Sequence, residues 1–209
     1  GRGPAARAAG GGAAGERDPA AWSLESPRVR TLAVLVLVFV ANQACRALPF
    51  YLVDFGPGAA PELAMNADLG FGSAEYGILA TLGFTVPFTV ASLGAGVLAD
   101  RADRLRISGA AGLAWSACTA GMAAASSYGG LLGQRALLGA AQAATNPAAL
   151  SLVAELFPEA RATASAVFGL GIYVGGGIAS LGAALDGEVG WRGTCVAFGA
   201  ASAAASLLA

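Results

Sequence analysis

The sequence predicts an all-α integral membrane protein with six membrane-spanning helices, and three observations lead to this prediction. The chain is 56% hydrophobic and only 12% charged over 209 residues, whereas roughly a quarter of the residues of soluble domains are charged. Its apolar runs are each close to the roughly 20 residues that cross a bilayer as a helix. Arginines, which supply all the basic residues, are concentrated in alternate connections between these runs.

The segment before the first apolar run, residues 1–29, is rich in Gly, Ala, Pro and Arg and has no apolar periodicity. This composition predicts a disordered tail. A transit peptide is the alternative because arginine is frequent, but Glu16, Asp18 and Glu25 count against it.

The rest of the chain, 30–209, contains the predicted spans. Pro49, Pro87 and Pro147 lie inside them, and we expect each proline to kink or unwind its helix locally because it lacks an N–H. The arginines of the tail and of the connections after spans two and four place these segments and the N-terminus on the cytoplasmic side. The spans cover approximately 30–53, 73–98, 106–127, 129–153, 163–185 and 191–209.

Two arginines lie within the predicted spans, Arg46 in the first and Arg135 in the fourth. Both fall about 10 Å below the outer boundary at helical rise. A charge at that depth costs several kcal/mol unless it faces protein or water, so both are functional candidates. The alternative is structural: each arginine would bond to carbonyl groups freed near Pro49 or Pro147, or to a part of the protein outside this chain.

The polar neighbours of these arginines share their helix faces. In span four the polar and small positions recur at i, i+4, i+7 and i+11, and in span one at i and i+4. Two polar stripes at overlapping depth predict the wall of a substrate cavity. Its candidate residues are Arg46, Arg135, Asn42, Gln142 and Asn146.

Enzymatic chemistry is not expected. The chain has no histidine, and Cys45, Cys118 and Cys195 lack the spacing of a metal site. No nucleophile has an evident base beside it. We therefore predict no enzyme, cofactor, metal or nucleic-acid partner, and membrane lipids as the surroundings.

The connection after span two, "GAGVLADRADRLR", resembles the signature loop of the major facilitator superfamily. Asp103 replaces the second glycine of that signature and Leu105 its final basic residue. The resemblance implies a cytoplasmic gate loop, in which Asp100 is available to cap a helix end. The matching residues are Gly96, Asp100, Arg101 and Arg104.

Within this superfamily, the chain looks most like spinster-like lipid transporters. The stretches that carry this resemblance include "NQACR", "RALLGAAQAATNPAALSLVAELFPEARATASAVF", "GLGIYVGGG" and "GWR". The resemblance implies the N-terminal six-helix half of a 12-helix fold, built from two inverted three-helix repeats, with the C-terminal half absent from this chain. It implies a transporter that moves a small organic solute by alternating access. The alternative is a non-transporting membrane scaffold or sensor with the same fold.

Two departures from the spinster-like pattern bear on mechanism. Cys45 and Gln142 stand where that family carries its candidate proton-carrying acids. An unperturbed thiol or amide does not titrate usefully between pH 5 and 8, so proton coupling through this pair is not expected. Two arginines without an intramembrane acid favour an anionic or amphipathic, lipid-like solute. The nearest acids, Asp54 and Glu75, lie at the outer boundary, where we expect them to face water.

Glycines in spans four and five have the spacing of close helix packing. Gly171 and Gly175 form a GxxxG pair, and Gly139 lies on the polar stripe of span four. Small residues let helix backbones approach each other in membranes. We expect these three glycines to serve helix packing, with a hinge for rocking as the alternative.

Overall fold

The computed structural model describes residues 22–209 apart from 24 and 102, with the backbone alone at 97–101. Most of the predicted disordered tail, residues 1–21, therefore lies outside the described residues. The described chain contains helices and turns and no strand. Its α-helices are α1 Pro27–Ala47, α2 Met65–Leu69, α3 Ser73–Ala80, α4 Leu82–Arg101, α5 Arg104–Gly121, α6 Tyr128–Gln142, α7 Thr145–Leu156, α8 Arg161–Ser180 and α9 Gly182–Ser206.

Three helical segments of the described chain are long and apolar enough to cross a membrane: Pro27–Phe50, Ser73–Gly96 and Arg161–Ser180. They correspond to the predicted spans one, two and five. The first begins at Pro27, because proline at the start of a helix needs no N–H partner and has a suitable φ. It continues beyond α1 as a 3₁₀ turn, Leu48–Phe50.

The other predicted spans are also helical, but their helices are shorter or less apolar than these three. The fourth consists of α6 and α7, which are separated at residues 143–144, and Pro147 lies in the first turn of α7, where proline is tolerated. The helix designated α9 is divided at Gly190, whose φ of 71° is left-handed. That division coincides with the predicted boundary between spans five and six.

The second predicted span is not unwound at its proline. Pro87 lies inside α4, and the interruption falls earlier, at Thr81, between α3 and α4. The backbone at Thr81 is not helical, with φ −111° and ψ −80°. Its hydroxyl donates to the carbonyl oxygen of Gly77, a local bond that competes with regular helix geometry.

Helix packing is closest where small residues meet. α1 packs mainly on α8, α4 on α6, and α5 on α9. A Cβ at Gly175 of α8 would lie 2.6 Å from the Val40 carbonyl oxygen of α1, and one at Gly171 would lie 2.7 Å from Phe39 Cδ1. Such contacts are typical of membrane helix interfaces. Because lipid tails are as apolar as the helix surfaces, helices associate there through close van der Waals packing, which small residues allow.

The first turn of α5, at the end of the bundle that contains Arg104, is capped by Asp103. Its Oδ1 accepts from the backbone N–H groups of Leu105 at 3.0 Å and Arg106 at 3.3 Å. One of the two residues that depart from the superfamily signature is thus the helix cap. Arg104 forms an ion pair with Glu155 of α7.

The opposite end, which we call the Arg192 end, is held by one guanidinium. Arg192 forms an ion pair with Asp68 at 2.8 Å and donates to the carbonyl oxygens of Ala123 and Ala125. Trp191 Nε1 also donates to Asp68. Three connections that are distant in sequence are therefore joined at this end.

Candidate functional site

Arg46 and Arg135, the two intramembrane arginines, meet around one aromatic ring. Phe84, on α4, is 2% exposed. The guanidinium carbon of Arg46 lies 4.4 Å from its ring centroid and that of Arg135 lies 5.1 Å from the same point. Both distances lie within the range of cation–π attraction. The sequence predicted that these arginines share a depth, and the structure also gives them a common contact.

Arg135 is the buried member of the pair, at 1% exposure. Its Nη1 donates to the carbonyl oxygen of Arg46 at 2.8 Å, and its Nε has no partner among the described atoms. The Arg46 carbonyl lies in the last turn of α1, where helix carbonyls lack intrahelical partners, and Pro49 follows in the 3₁₀ turn. Arg135 thus makes the kind of carbonyl contact that the structural alternative described.

A second polar contact lies one to two turns away on the same two helices. Gln142 Nε2 donates to the carbonyl oxygen of Asn42 at 3.0 Å, while Gln142 Oε1 has no partner among the described atoms. Both side chains are buried. Asn146 is half-buried and lies beyond the interruption, on α7. The structure therefore brings four of the five candidate residues together where α1 meets α6.

The approach of α6 to this site depends on Gly139. A Cβ there would lie 2.5 Å from the carbonyl oxygen of Phe84, so only glycine fits at the present helix separation. The same backbone that carries the shared ring is thus in direct contact with α6. Close packing and the arginine cluster are parts of one arrangement.

No carboxylate in the described part of the chain forms an ion pair with Arg46 or Arg135. The two boundary acids have local roles: Asp54 Oδ1 accepts from the Gly56 N–H, and Glu75 Oε2 accepts from the Gly72 N–H. Both acids are exposed. The guanidinium groups of Arg46 and Arg135 are therefore stabilised by an aromatic ring, and that of Arg135 also by a backbone carbonyl group.

The gate-loop candidates are only partly described. Gly96 is half-buried, and a Cβ at this position would meet nothing within 4 Å. The side chains of Asp100 and Arg101 lie outside the described set. Arg104 reaches Glu155, as stated above, and links the start of α5 to the end of α7.

Sequence reasoning missed two residues. Phe84 could not be identified from the sequence, because one apolar residue in an apolar span looks like any other until its neighbours in space are known. Asp186 follows the fifth predicted span directly; it is buried and its Oδ1 has no partner in the described structure. Its position in the sequence could have identified it as a further boundary acid.

Comparison with known proteins agrees with this architecture. The family model described as Major Facilitator Superfamily matches residues 35–209. No curated protein matches the chain. Two solved structures of a bacterial homolog to the human lysosomal transporter Spinster, both inward-facing, are similar in fold at 23% sequence identity. The unoccupied one has a TM-score of 0.75 and the occupied one 0.71.

The match covers 87% of this chain but only 42% of the unoccupied structure's chain and 43% of the occupied one's. This chain therefore spans less than half the length of those proteins. Because the family model covers most of the sequence and the described helices have the same fold as those structures, the chain belongs to the major facilitator superfamily.

Proposed function

We propose that this chain is the six-span N-terminal half of a 12-helix transporter that works by alternating access. In this proposal α1, α3 with α4, and α5 form one three-helix repeat. The second repeat consists of α6 with α7, α8, and the part of α9 after Gly190. The N-terminus and the Arg104 end are cytoplasmic, which places the Arg192 end outside.

The packing pattern supports two repeats. Exchange of the repeats converts the contact of α1 with α8 into the contact of α6 with α4, and the contact of α1 with α9 into that of α6 with α5. The contact between α5 and α9 is converted into itself. All five contacts are present in the described helices, which is the relation expected of two copies of one unit.

We propose that the solute carries an anionic group that binds at Arg46. Arg46 is half-buried, whereas Arg135 is fully buried behind it. A guanidinium without a carboxylate partner has donors left for a carboxylate or phosphate. The carrying observation is the shared ring of Phe84, which holds two positive charges close together without an acid. Asn42, Gln142 and Asn146 supply neutral polar groups nearby.

An apolar cavity supports an amphipathic, lipid-like solute. It has a volume of about 540 Å³, lies between α1, α8 and α9, and reaches Cys45, the residue before Arg46. Hydrocarbon fits such a lining better than water does. The solved structures with a similar fold are of a bacterial homolog to a human lysosomal transporter, which supports a transport role.

Uptake into proteoliposomes that contain the full-length protein tests this proposal. We expect Arg46→Ala to reduce uptake of an alkyl phosphate at least tenfold. Arg46→Lys should retain part of the uptake because it keeps the positive charge, but not all of it, since an ammonium group lacks the bidentate fork of a guanidinium. Arg106→Ala is the matched control, since Arg106 is exposed and lies at the end of the bundle. Unchanged uptake by Arg46→Ala would refute the anion site.

The same assay separates transport from a scaffold or sensor role. Comparison of an alkyl phosphate with inorganic phosphate and with an uncharged alkyl alcohol shows which part of the solute is recognised. Solute-dependent flux by the wild type, absent from empty liposomes, establishes a carrier. Binding without flux would support the scaffold or sensor.

A further inference from the structure

A second cavity, at the Arg192 end, contains a buried acid that the proposed transport site does not use. It has a volume of about 380 Å³ and lies between the segment that follows α1 and the first turns of α9. Its wall includes Asp186 of α9, Asp54, and mostly small or apolar residues of the segment 51–64. Two carboxylates therefore line one cavity, with Asp54 on its exposed side.

Asp186 is the unusual member of this wall. It is 8% exposed, and its Oδ1 has no hydrogen-bond partner in the described structure. The described ion pairs do not include it. The arginine closest in sequence, Arg192, is engaged by Asp68. A buried carboxylate without a partner is costly unless a positive charge or a proton neutralises it.

Hydrogen bonds hold the segment that forms most of this cavity wall in place. The Asn66 side chain bonds to both the N–H and the carbonyl oxygen of Asp54, at 2.8 and 2.6 Å. The Met65 N–H donates to the Leu52 carbonyl at 2.9 Å, and the Trp191 N–H donates to the Glu62 carbonyl at 3.1 Å. The segment after α1 is thus held against α9 around the carboxylate.

We propose that this cavity binds a small monovalent cation, an alkali metal ion or an ammonium group, through the carboxylate of Asp186 with Asp54 at the mouth. One buried carboxylate requires one positive charge. A divalent ion fits less well, because Ca²⁺ takes six to eight oxygens, commonly from several carboxylates, and the described residues contain no group of three or more metal-ligating side chains.

The charged groups around the site are acidic except for Arg192, which is paired with Asp68. Asp54 faces the cavity from the segment after α1, and Cys195 lies within electrostatic range of Asp186 along α9. Glu62 and Glu188 line the adjoining cavity, which also contains Asp68 and Arg192. Burial raises the pKa of the Asp186 carboxyl to about 6. The carboxylate is therefore ionised at pH 8 and available to a cation, and protons compete as the pH falls through 6.

Thermal unfolding of the full-length protein in detergent tests the site. At pH 8 and constant ionic strength, sodium, potassium or ammonium chloride replaces N-methylglucamine chloride. We expect at least one of these cations to raise the Tm by several degrees, and the comparison between them identifies the preferred cation. Asp186→Asn should remove the shift, Asp54→Asn should reduce it, and Glu188→Gln, at an exposed neighbour, should retain it.

A pH series on the wild type keeps the test decisive if Asp186→Asn does not fold. The cation-dependent shift should be full at pH 8 and absent at pH 5. No shift with any of the three cations would overturn the proposal and leave protonation as the means of neutralising Asp186. A shift that persists at pH 5, or that Asp186→Asn retains, would also overturn it.

Discussion

Arg135 donates a hydrogen bond from Nη1 to the carbonyl oxygen of Arg46, 2.8 Å away. One arginine thereby fixes the backbone of the other, and both guanidinium groups contact the ring of Phe84. The two positive charges have different tasks in this arrangement. Arg135 is buried and joins α6 to α1, while Arg46 retains the accessible guanidinium.

Loss of the shared ring should destabilise the cluster. Phe84→Leu keeps an apolar side chain but removes the aromatic face from two cations, each contact being worth about 0.5 to 2 kcal/mol. Phe168→Leu is the control, because Phe168 is also buried and stacked on another phenylalanine but contacts neither arginine. We expect a lower Tm for Phe84→Leu than for Phe168→Leu by thermal unfolding in detergent. Equal losses would contradict the cation–π assignment.

A methyl group at Gly139 should separate α6 from α4. The added Cβ would lie 2.5 Å from the Phe84 carbonyl oxygen, and this backbone cannot yield without a helix shift. Overpacking of this kind costs about 1 to 3 kcal/mol. Gly133→Ala on the same helix is the control, since its Cβ would meet nothing within 4 Å. Thermal unfolding should rank Gly139→Ala well below Gly133→Ala; an equal Tm for the two would show that α6 adjusts freely.

Removal of the Arg192 guanidinium should loosen the three connections that it joins. Arg192→Ala loses two bonds to carbonyl oxygens, each worth about 1.5 to 3 kcal/mol because the donor is charged, and a partly exposed ion pair with Asp68 worth at most about 1 kcal/mol. We expect a lower Tm and faster protease cleavage within 54–72. Arg106→Ala, at an exposed arginine, should change neither. Unaltered cleavage of Arg192→Ala would contradict this role.

The stability of the protein without a bound cation should depend on Asp186. Because the folded-state pKa is raised to about 6, above the value near 4 of an unfolded chain, the folded state holds this proton more tightly. Stability should therefore fall as the pH rises from about 4 through 6. Asp186→Asn should flatten this part of the profile, measured as Tm against pH in N-methylglucamine chloride. An unchanged slope would assign the dependence to another group.

The apolar runs were sufficient to predict the helical fold, because hydrocarbon dictates both helix length and internal hydrogen bonding. The interruption of the second span was not predictable in the same way. Proline marks a missing N–H, yet the helix breaks at Thr81, where a side-chain hydroxyl bonds locally, and Pro87 remains inside α4. Packing against the rest of the protein decides at which of these nearby residues the helix is interrupted.

The sequence singled out the two arginines of the candidate site but not their surroundings. Helical spacing predicted a common depth for Arg46 and Arg135, but Phe84 belongs to a different helix, and no periodicity within one helix identifies a contact with another. The cap of α5 shows the same limit. Asp103 departs from the superfamily signature in sequence, and only the backbone geometry shows that it serves as the cap.

The connections held by Arg192 lie at positions 68, 123–125 and 192 of the chain, yet one side chain brings them into contact. An antibody fragment selected against the folded protein at this end would recognise a discontinuous epitope. Peptides copied from a single connection would not compete for it. Such a binder would report native assembly of this end.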